Sequence, residues 1–313
     1  MQTITKNLPQ AVAEERAKAG LSQAKTAREI GISETRLSQY LSGDYQQKVS
    51  PQAVKELEAK IAHWLNSRQT RRDTQSELPT APEYFETSIS KRVQATLTYA
   101  QMANDLVVIY GGAGLGKTKT IARYKSQNPN TWVIEATPTT ATMGGILRAI
   151  AKATGTGAVS GQNDALESAI KERIKDTNGL LIIDEAQFLN ERGLECARRI
   201  CELANVGLAL VGNETVYGQL TGRNRAAEFA QLFSRIGKRC RLTRPAAHDV
   251  DAMANAWRIE NRQSQKMLQD IAAKPGALRM VNKVLRMAAI IAQGAAIEHQ
   301  HIQYAWRDLG GES

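Results

Sequence analysis

Gly111, Gly112, Ala113, Gly114, Leu115, Gly116, Lys117 and Thr118 stand in the spacing G-x-x-x-x-G-K-[ST]. Small residues let a backbone curl until several N–H groups point at one spot, and the helix that follows adds its positive end. Such a loop suits the phosphates of ATP or ADP. Lys117 would reach the β- and γ-phosphates, Thr118 would offer its hydroxyl to Mg²⁺, and Lys119 follows beside them. A glycine turn that binds nothing is the alternative; the apolar run Leu106 to Tyr110 before it and the helix-compatible Lys119 to Ser126 after it speak for the phosphate loop.

Further along, Leu180-Leu181-Ile182-Ile183 runs into Asp184-Glu185, 66 residues beyond Thr118. A buried strand ending in two carboxylates places Asp184 to hold Mg²⁺ through its water shell and Glu185 to orient or deprotonate an attacking water. Val206 to Val211 is another apolar strand, and Asn213 after it would position that water. Alone Asn213 reads as a turn residue, so this role rests on the order of the motifs. Arg235 is a candidate arginine finger for a neighbouring subunit's ATP, with Arg223 and Arg225 as competitors. Arg279, in Pro275-Gly276-Ala277-Leu278-Arg279, would fold over the γ-phosphate from within the same chain.

These groups need a scaffold. Near-continuous apolar strands at Leu106 to Tyr110, Thr131 to Ala136, Gly179 to Asp184, Val206 to Val211 and Lys238 to Leu242 alternate with helical stretches, which predicts a parallel sheet covered on both faces. Residues 88–244 form this α/β core. Residues 245–313 read as an all-helical lid with breaks near Asn261, Pro275-Gly276 and Gly294.

Residues 1–65 read as a small all-α domain. Gln23 to Glu29 and Glu34 to Leu41 are helices around Gly31, with Ser33 as the cap of the second. This text is similar to the helix-turn-helix of phage repressor and Cro-like proteins, which implies that Ser33, Glu34, Thr35, Arg36, Ser38 and Gln39 face the major groove. A helical protein-interaction module of the same fold is the alternative. Residues 66–87, polar and carrying Pro79 and Pro82, read as a linker.

The 313 residues carry a net charge of +10, and residues 223–286 hold 14 Lys/Arg against 5 Asp/Glu. Such concentration implies a polyanion, nucleic acid rather than membrane. Arg235, Lys238, Arg239, Arg241 and Arg244 form the densest part. No apolar run approaches a membrane span, the N-terminus lacks a signal-peptide core, and a cytoplasmic protein is expected. Three cysteines, Cys196, Cys201 and Cys240, have no disulfide or zinc spacing and read as core residues.

The phosphate loop, Asp-Glu strand, Asn strand, pre-strand arginine and Gly-Ala-x-Arg lid resemble the AAA+ ATPases. With the repressor-like N-terminus, Glu77-Leu78-Pro79, Phe85-Glu86-Thr87, Glu228-Phe229-Ala230, Leu232-Phe233-Ser234-Arg235-Ile236 and Lys274 to Arg279, the chain resembles the phage Mu B transposition protein family from about residue 8 to 309. The resemblance implies a slow, Mg²⁺-dependent ATPase of the bacterial host cell's cytoplasm. It would coat double-stranded DNA as a helical homo-oligomer with little sequence preference, recruit the transposase and leave on hydrolysis. The family's arginine run between the second and third strands is replaced here by Gly155 to Gly161, followed by Lys171, Arg173 and Lys175. Lys171 and Lys175, four apart, are expected on one helical face toward DNA phosphates. Two readings remain beside this one: a helicase loader or replication initiator, and a transcription regulator whose ATPase switches its helix-turn-helix.

Overall fold

The computed structural model describes residues 7–77, 84–157, 163–221 and 234–311. The chain falls into two units that part between Pro79 and Thr80.

In the first unit, serines and glycines punctuate short helices. After α1 (Leu8–Ala19), Ser22 accepts from Lys25 N to start α2 (Gln23–Ile30), and Ser33 accepts from Arg36 N to start α3 (Glu34–Ser42). The short α4 (Tyr45–Lys48) leads to α5 (Pro51–Glu77). Val12, Ala27, Leu37, Tyr40, Leu57, Ile61 and Trp64 make the core. The helical part of the expected linker is a correction: residues 66–77 continue α5. No proline or glycine interrupts them, and they are tied down. Arg68 donates to the buried Glu15 at 2.6 Å and to Glu29 at 2.9 Å, and Arg72 also pairs with Glu15. Both arginines partner the buried Glu15 carboxylate, which would otherwise be left without a counter-charge.

The second unit begins with α6 (Ser88–Ala103), capped by a reciprocal Thr87–Ser90 box. Five strands follow: β1 (Leu106–Gly111), β2 (Thr131–Glu135), β3 (Leu180–Asp184), β4 (Gly207–Gly212) and β5 (Ile236–Leu242). They form one parallel sheet in the order β2-β3-β4-β1-β5. The three central strands are buried at every residue. That is what helices on both faces require, and why their sequences are unbroken apolar runs rather than alternating ones.

Period-two alternation sorts their side chains. Val107, Ile109, Ile182 and Val211 pack with α6 and α7 (Lys117–Gln127). Val108, Ile183 and Leu210 pack under α8 (Met143–Thr154), α9 (Asn163–Ile174) and α10 (Glu191–Ala204). α11 (Glu214–Thr221) follows β4. β5, at the sheet edge, alternates buried Ile236, Cys240 and Leu242 with exposed Arg239 and Arg241; charges on an exposed edge strand oppose edge-to-edge pairing.

All three cysteines are free and buried, and burial pushes the Cys196 thiol up to about 11, so they act as core apolar groups.

Four helices close the chain: α12 (Ala247–Ala256), α13 (Arg262–Ala272), α14 (Ala277–Ile291) and α15 (His299–Asp308). They share a core of Leu268, Val281, Val284, Leu285 and Ile302. Asp249, 1% exposed, accepts from both Ser88 N and Ser88 Oγ at 2.6 Å, which ties α12 to the start of α6. Among the described residues no helix is long and apolar enough to cross a membrane.

Candidate nucleotide-binding site

Parallel strands deliver their C-terminal ends to one rim, and the loops there host ligands. The loop after β1 turns at Gly114 and Gly116, with φ of +82° and +86°, and runs straight into α7. A Cβ on Gly114 would lie 1.9 Å from Gly276 O, so this glycine is needed for fit as well as conformation. The same contact shows how closely the Pro275-Gly276 turn sits on the loop. Lys117 Nζ donates to Gly111 O at 2.7 Å and Gly112 O at 2.8 Å. Burial lowers the pKa of its ammonium, with Asp184 and Glu185 opposing that shift and Arg279 adding to it.

Thr118 Oγ1 donates to Asp184 Oδ2 at 2.7 Å, and Asp184 is 4% exposed at the end of β3. A hydroxyl and a carboxylate oxygen side by side are hard oxygen donors of the kind Mg²⁺ takes. Glu185 leaves the strand in a left-handed turn, φ +54°. Asn213 Oδ1 accepts from Thr215 N at 2.8 Å, capping α11.

One cleft of about 380 Å³ gathers Ala113, Gly114, Leu115, Gly116, Lys117, Thr118, Lys119, Glu185, Asn213 and Arg279. Leu115 keeps its side chain in the core and presents backbone. The same cleft is lined by Tyr84, Phe85, Met253, Trp257, Leu278 and Asn282. A wall of aromatic and aliphatic side chains in one cleft with a phosphate loop suits a purine base. Sequence reasoning missed this wall and assigned Tyr84 and Phe85 to the linker; their one signal was an aromatic pair just before the capped start of a helix. A more open hollow of about 590 Å³ in the lid, between Arg258 and Gln303, contains none of the predicted residues.

Other predicted residues lie elsewhere. Arg235 immediately precedes β5, whose first residue pairs with Leu106 at the start of β1. The phosphate loop leaves the far end of β1, six residues away, or roughly 20 Å at about 3.3 Å per residue. There Arg235 pairs with Glu202 at 2.6 Å, half exposed. Arg223 and Arg225 lie outside the described residues.

Lys171 and Arg173 are on α9, which ends at Ile174, and Lys175 is the residue that directly follows the helix. The left-handed Asp176, φ +52°, already bends the chain there. On α3, Arg36 is half-buried: its Nε donates to Tyr45 Oη at 2.7 Å and its guanidinium lies 5.2 Å from that ring's centre.

The loop after β1 and the strand order are those of an AAA+ P-loop ATPase core. Comparison with known proteins agrees. The family described as "Mu B transposition protein, C terminal" matches residues 234–309, an AAA domain family matches 101–220, and a helix-turn-helix family matches 12–61. The chain is 38% identical over 236 residues to the ATP-dependent target DNA activator B of Escherichia phage Mu, spanning 75% of this chain and 76% of that protein. It is 34% identical over 265 residues to the Mu-like prophage FluMu DNA transposition protein B of Haemophilus influenzae, spanning 84% and 90%. Among solved structures, Cdc6p from Pyrobaculum aerophilum shares the fold, with a TM-score of 0.54 at 14% identity over 73% of this chain and 69% of that one.

Proposed function

The chain belongs to the Mu B transposition protein family, and on that ground we propose that it is an ATP-dependent DNA-binding protein of transposition. In this reading it binds ATP with Mg²⁺ and assembles as a helical filament on double-stranded DNA with little sequence preference. The filament marks target DNA, recruits and activates the transposase, and comes apart as ATP is slowly hydrolysed in the bacterial cytoplasm.

The observation that carries this reading is the division of the catalytic set between opposite ends of the sheet. Lys117, Thr118, Glu185, Asn213 and Arg279 share one cleft, while Arg235 stands at the other end. In this reading Arg235 serves the cleft of a second copy, stacked end to end, rather than its own. Within the cleft, Lys117 and the loop N–H groups hold the phosphates, and Arg279 covers the γ-phosphate from the lid. Asn213 orients the water and Glu185 takes its proton. Thr118 and Asp184 would hold Mg²⁺, which neutralises charge on the β- and γ-oxygens when bound.

Arg235→Ala should leave nucleotide affinity within about twofold and lower DNA-stimulated turnover by about 10³-fold. Mixing it with Glu185→Gln subunits, which still bind ATP, load onto DNA and carry Arg235, should restore part of the activity. Turnover at the parent rate would transfer the finger to Arg223 or Arg225.

On the DNA side, we assign phosphate contacts to Lys171, Arg173 and Lys175, with Arg36 of α3 meeting DNA through its terminal nitrogens because Nε is held by Tyr45. Replacing Lys171 and Lys175 together should flatten the plot of log K against log salt by about 2, since each phosphate contact contributes about 0.9. An unchanged slope removes these lysines from the interface.

Electron microscopy with random-sequence duplex of kilobase length, in ATP, ADP or no nucleotide, tests the whole reading. Continuous filaments only with ATP support it. Closed rings would favour a helicase loader, and particles at one sequence a regulator.

A further inference from the structure

Just past β3 the chain makes a tight detour. Glu185 is left-handed, its N–H donates to Asp184 Oδ1 at 3.0 Å, and residues Ala186–Phe188 form a single 3-10 turn. The turn brings Gln187 back over the carboxylate it has just passed. Gln187 Nε2 donates to Glu185 Oε2 at 2.5 Å, and its Oε1 accepts from Asn213 N at 3.4 Å. One half-buried amide thus joins the residue after β3 to the residue after β4, and both of those residues line the nucleotide cleft.

Two features make this more than a chance contact. The amide has one workable orientation: turned over, its oxygen would face a carboxylate and its NH₂ an N–H. Gly212, next to Asn213, is also shaped for it. A Cβ there would lie 2.3 Å from Gln187 Oε1 and 2.4 Å from Val216 Cγ2, so only a bare backbone lets the glutamine reach β4.

We infer that Gln187 is a positioning residue for ATP hydrolysis, fixing the Glu185 carboxylate toward the attacking water and coupling it to Asn213. The inference rests on the reading of Glu185 as the general base. A free Glu side chain visits several rotamers, and a base must sit within hydrogen-bond reach of the proton it removes. Holding one oxygen leaves the other a fixed direction. Gln187 is not one of the residues that line the cleft, so its effect belongs on the chemical step and not on ATP affinity.

The test is steady-state ATPase activity of the full chain on random duplex DNA, for the parent, Gln187→Ala, Gln187→Met, Gln187→Glu and Glu185→Gln. Gln187→Ala should lower kcat about tenfold with the KM for ATP within about twofold, the loss expected for one hydrogen bond to a charged group. Gln187→Met keeps the volume without the donor and should fall equally. Gln187→Glu keeps the shape, sets a second carboxyl against Glu185, and should fall further. A packing role predicts instead that Met restores the parent rate, and that result overturns the inference, as does any variant that turns over at or above the parent rate or changes KM alone. If the parent does not hydrolyse ATP, or Glu185→Gln does so at the parent rate, the reading of Glu185 fails. An active parent that needs Glu185 but ignores residue 187 rejects only the positioning role.

Discussion

Lys117→Ala should weaken ATP binding by about 10²–10³-fold and abolish every ATP-dependent property of the protein. The ammonium is the one side-chain cation of the phosphate loop that already reaches into its curl, 2.7 and 2.8 Å from the Gly111 and Gly112 carbonyls. From there a small movement brings it to phosphate oxygens, where two charge-assisted hydrogen bonds are worth about 3–4 kcal/mol. Lys119 is exposed two residues further along the first turn of α7 and Arg279 enters from the lid, so neither replaces a cation at the centre of the loop. The fold should survive the change, because burial already disfavours the charged lysine and what is lost is its two hydrogen bonds to carbonyls at the end of β1 and the start of the loop.

Thermal unfolding with Mg-ATP separates these effects. In the parent, ATP at about 100 times its Kd adds about 2.7 kcal/mol to stability by mass action. The alanine variant should unfold at the parent's temperature without nucleotide and show no shift with it. An undiminished ATP shift would mean that the loop N–H groups alone bind the phosphates. Lys117→Arg should be nearly as weak, since a planar fork does not fit where a compact ammonium sits between two carbonyls.

The phosphate loop, Glu185 and Asn213 of this cleft are legible in the sequence, and the reason is local. A phosphate loop, a buried strand ending in Asp184-Glu185 and an apolar strand ending near Asn213 each carry their chemistry within a few residues of the element that holds it. The strands themselves were readable because full burial on both faces leaves only apolar residues, so Leu180–Asp184 and Gly207–Gly212 stand out from the polar text around them. What escaped depends on distance along the chain. Tyr84 and Trp257 meet at one cleft from positions 173 residues apart, and nothing in either neighbourhood announces the other.

The misreading of residues 66–77 has a similar origin. A polar run without apolar periodicity looks like linker, and only the partners of Arg68 and Arg72 on α1 and α2 explain why it is helix. Gln187 was passed over because no spacing rule marks a glutamine two residues beyond an acid; its meaning appears only once the 3-10 turn folds it back.

Glu185→Gln should separate binding from release. The substitution keeps size and shape but removes the carboxylate proposed to accept the water's proton, so hydrolysis should fall by about 10²–10⁴-fold. ATP binding should hold or tighten, because Glu185 is a negative charge in the same cleft as the triphosphate and contributes nothing to the loop that grips it. If hydrolysis is the timer that ends the DNA complex, the variant must load onto DNA with ATP as the parent does and then fail to leave. Fluorescence anisotropy of labelled duplex after a chase with unlabelled DNA and an ATP-depleting enzyme reads this directly. The parent complex should decay at its turnover rate and the variant's should persist longer by about the factor lost in hydrolysis. Equal decay would mean that release is set by nucleotide exchange or by the subunit interface, with hydrolysis only accompanying it. That outcome would leave the ATP site intact and take away its role as a clock.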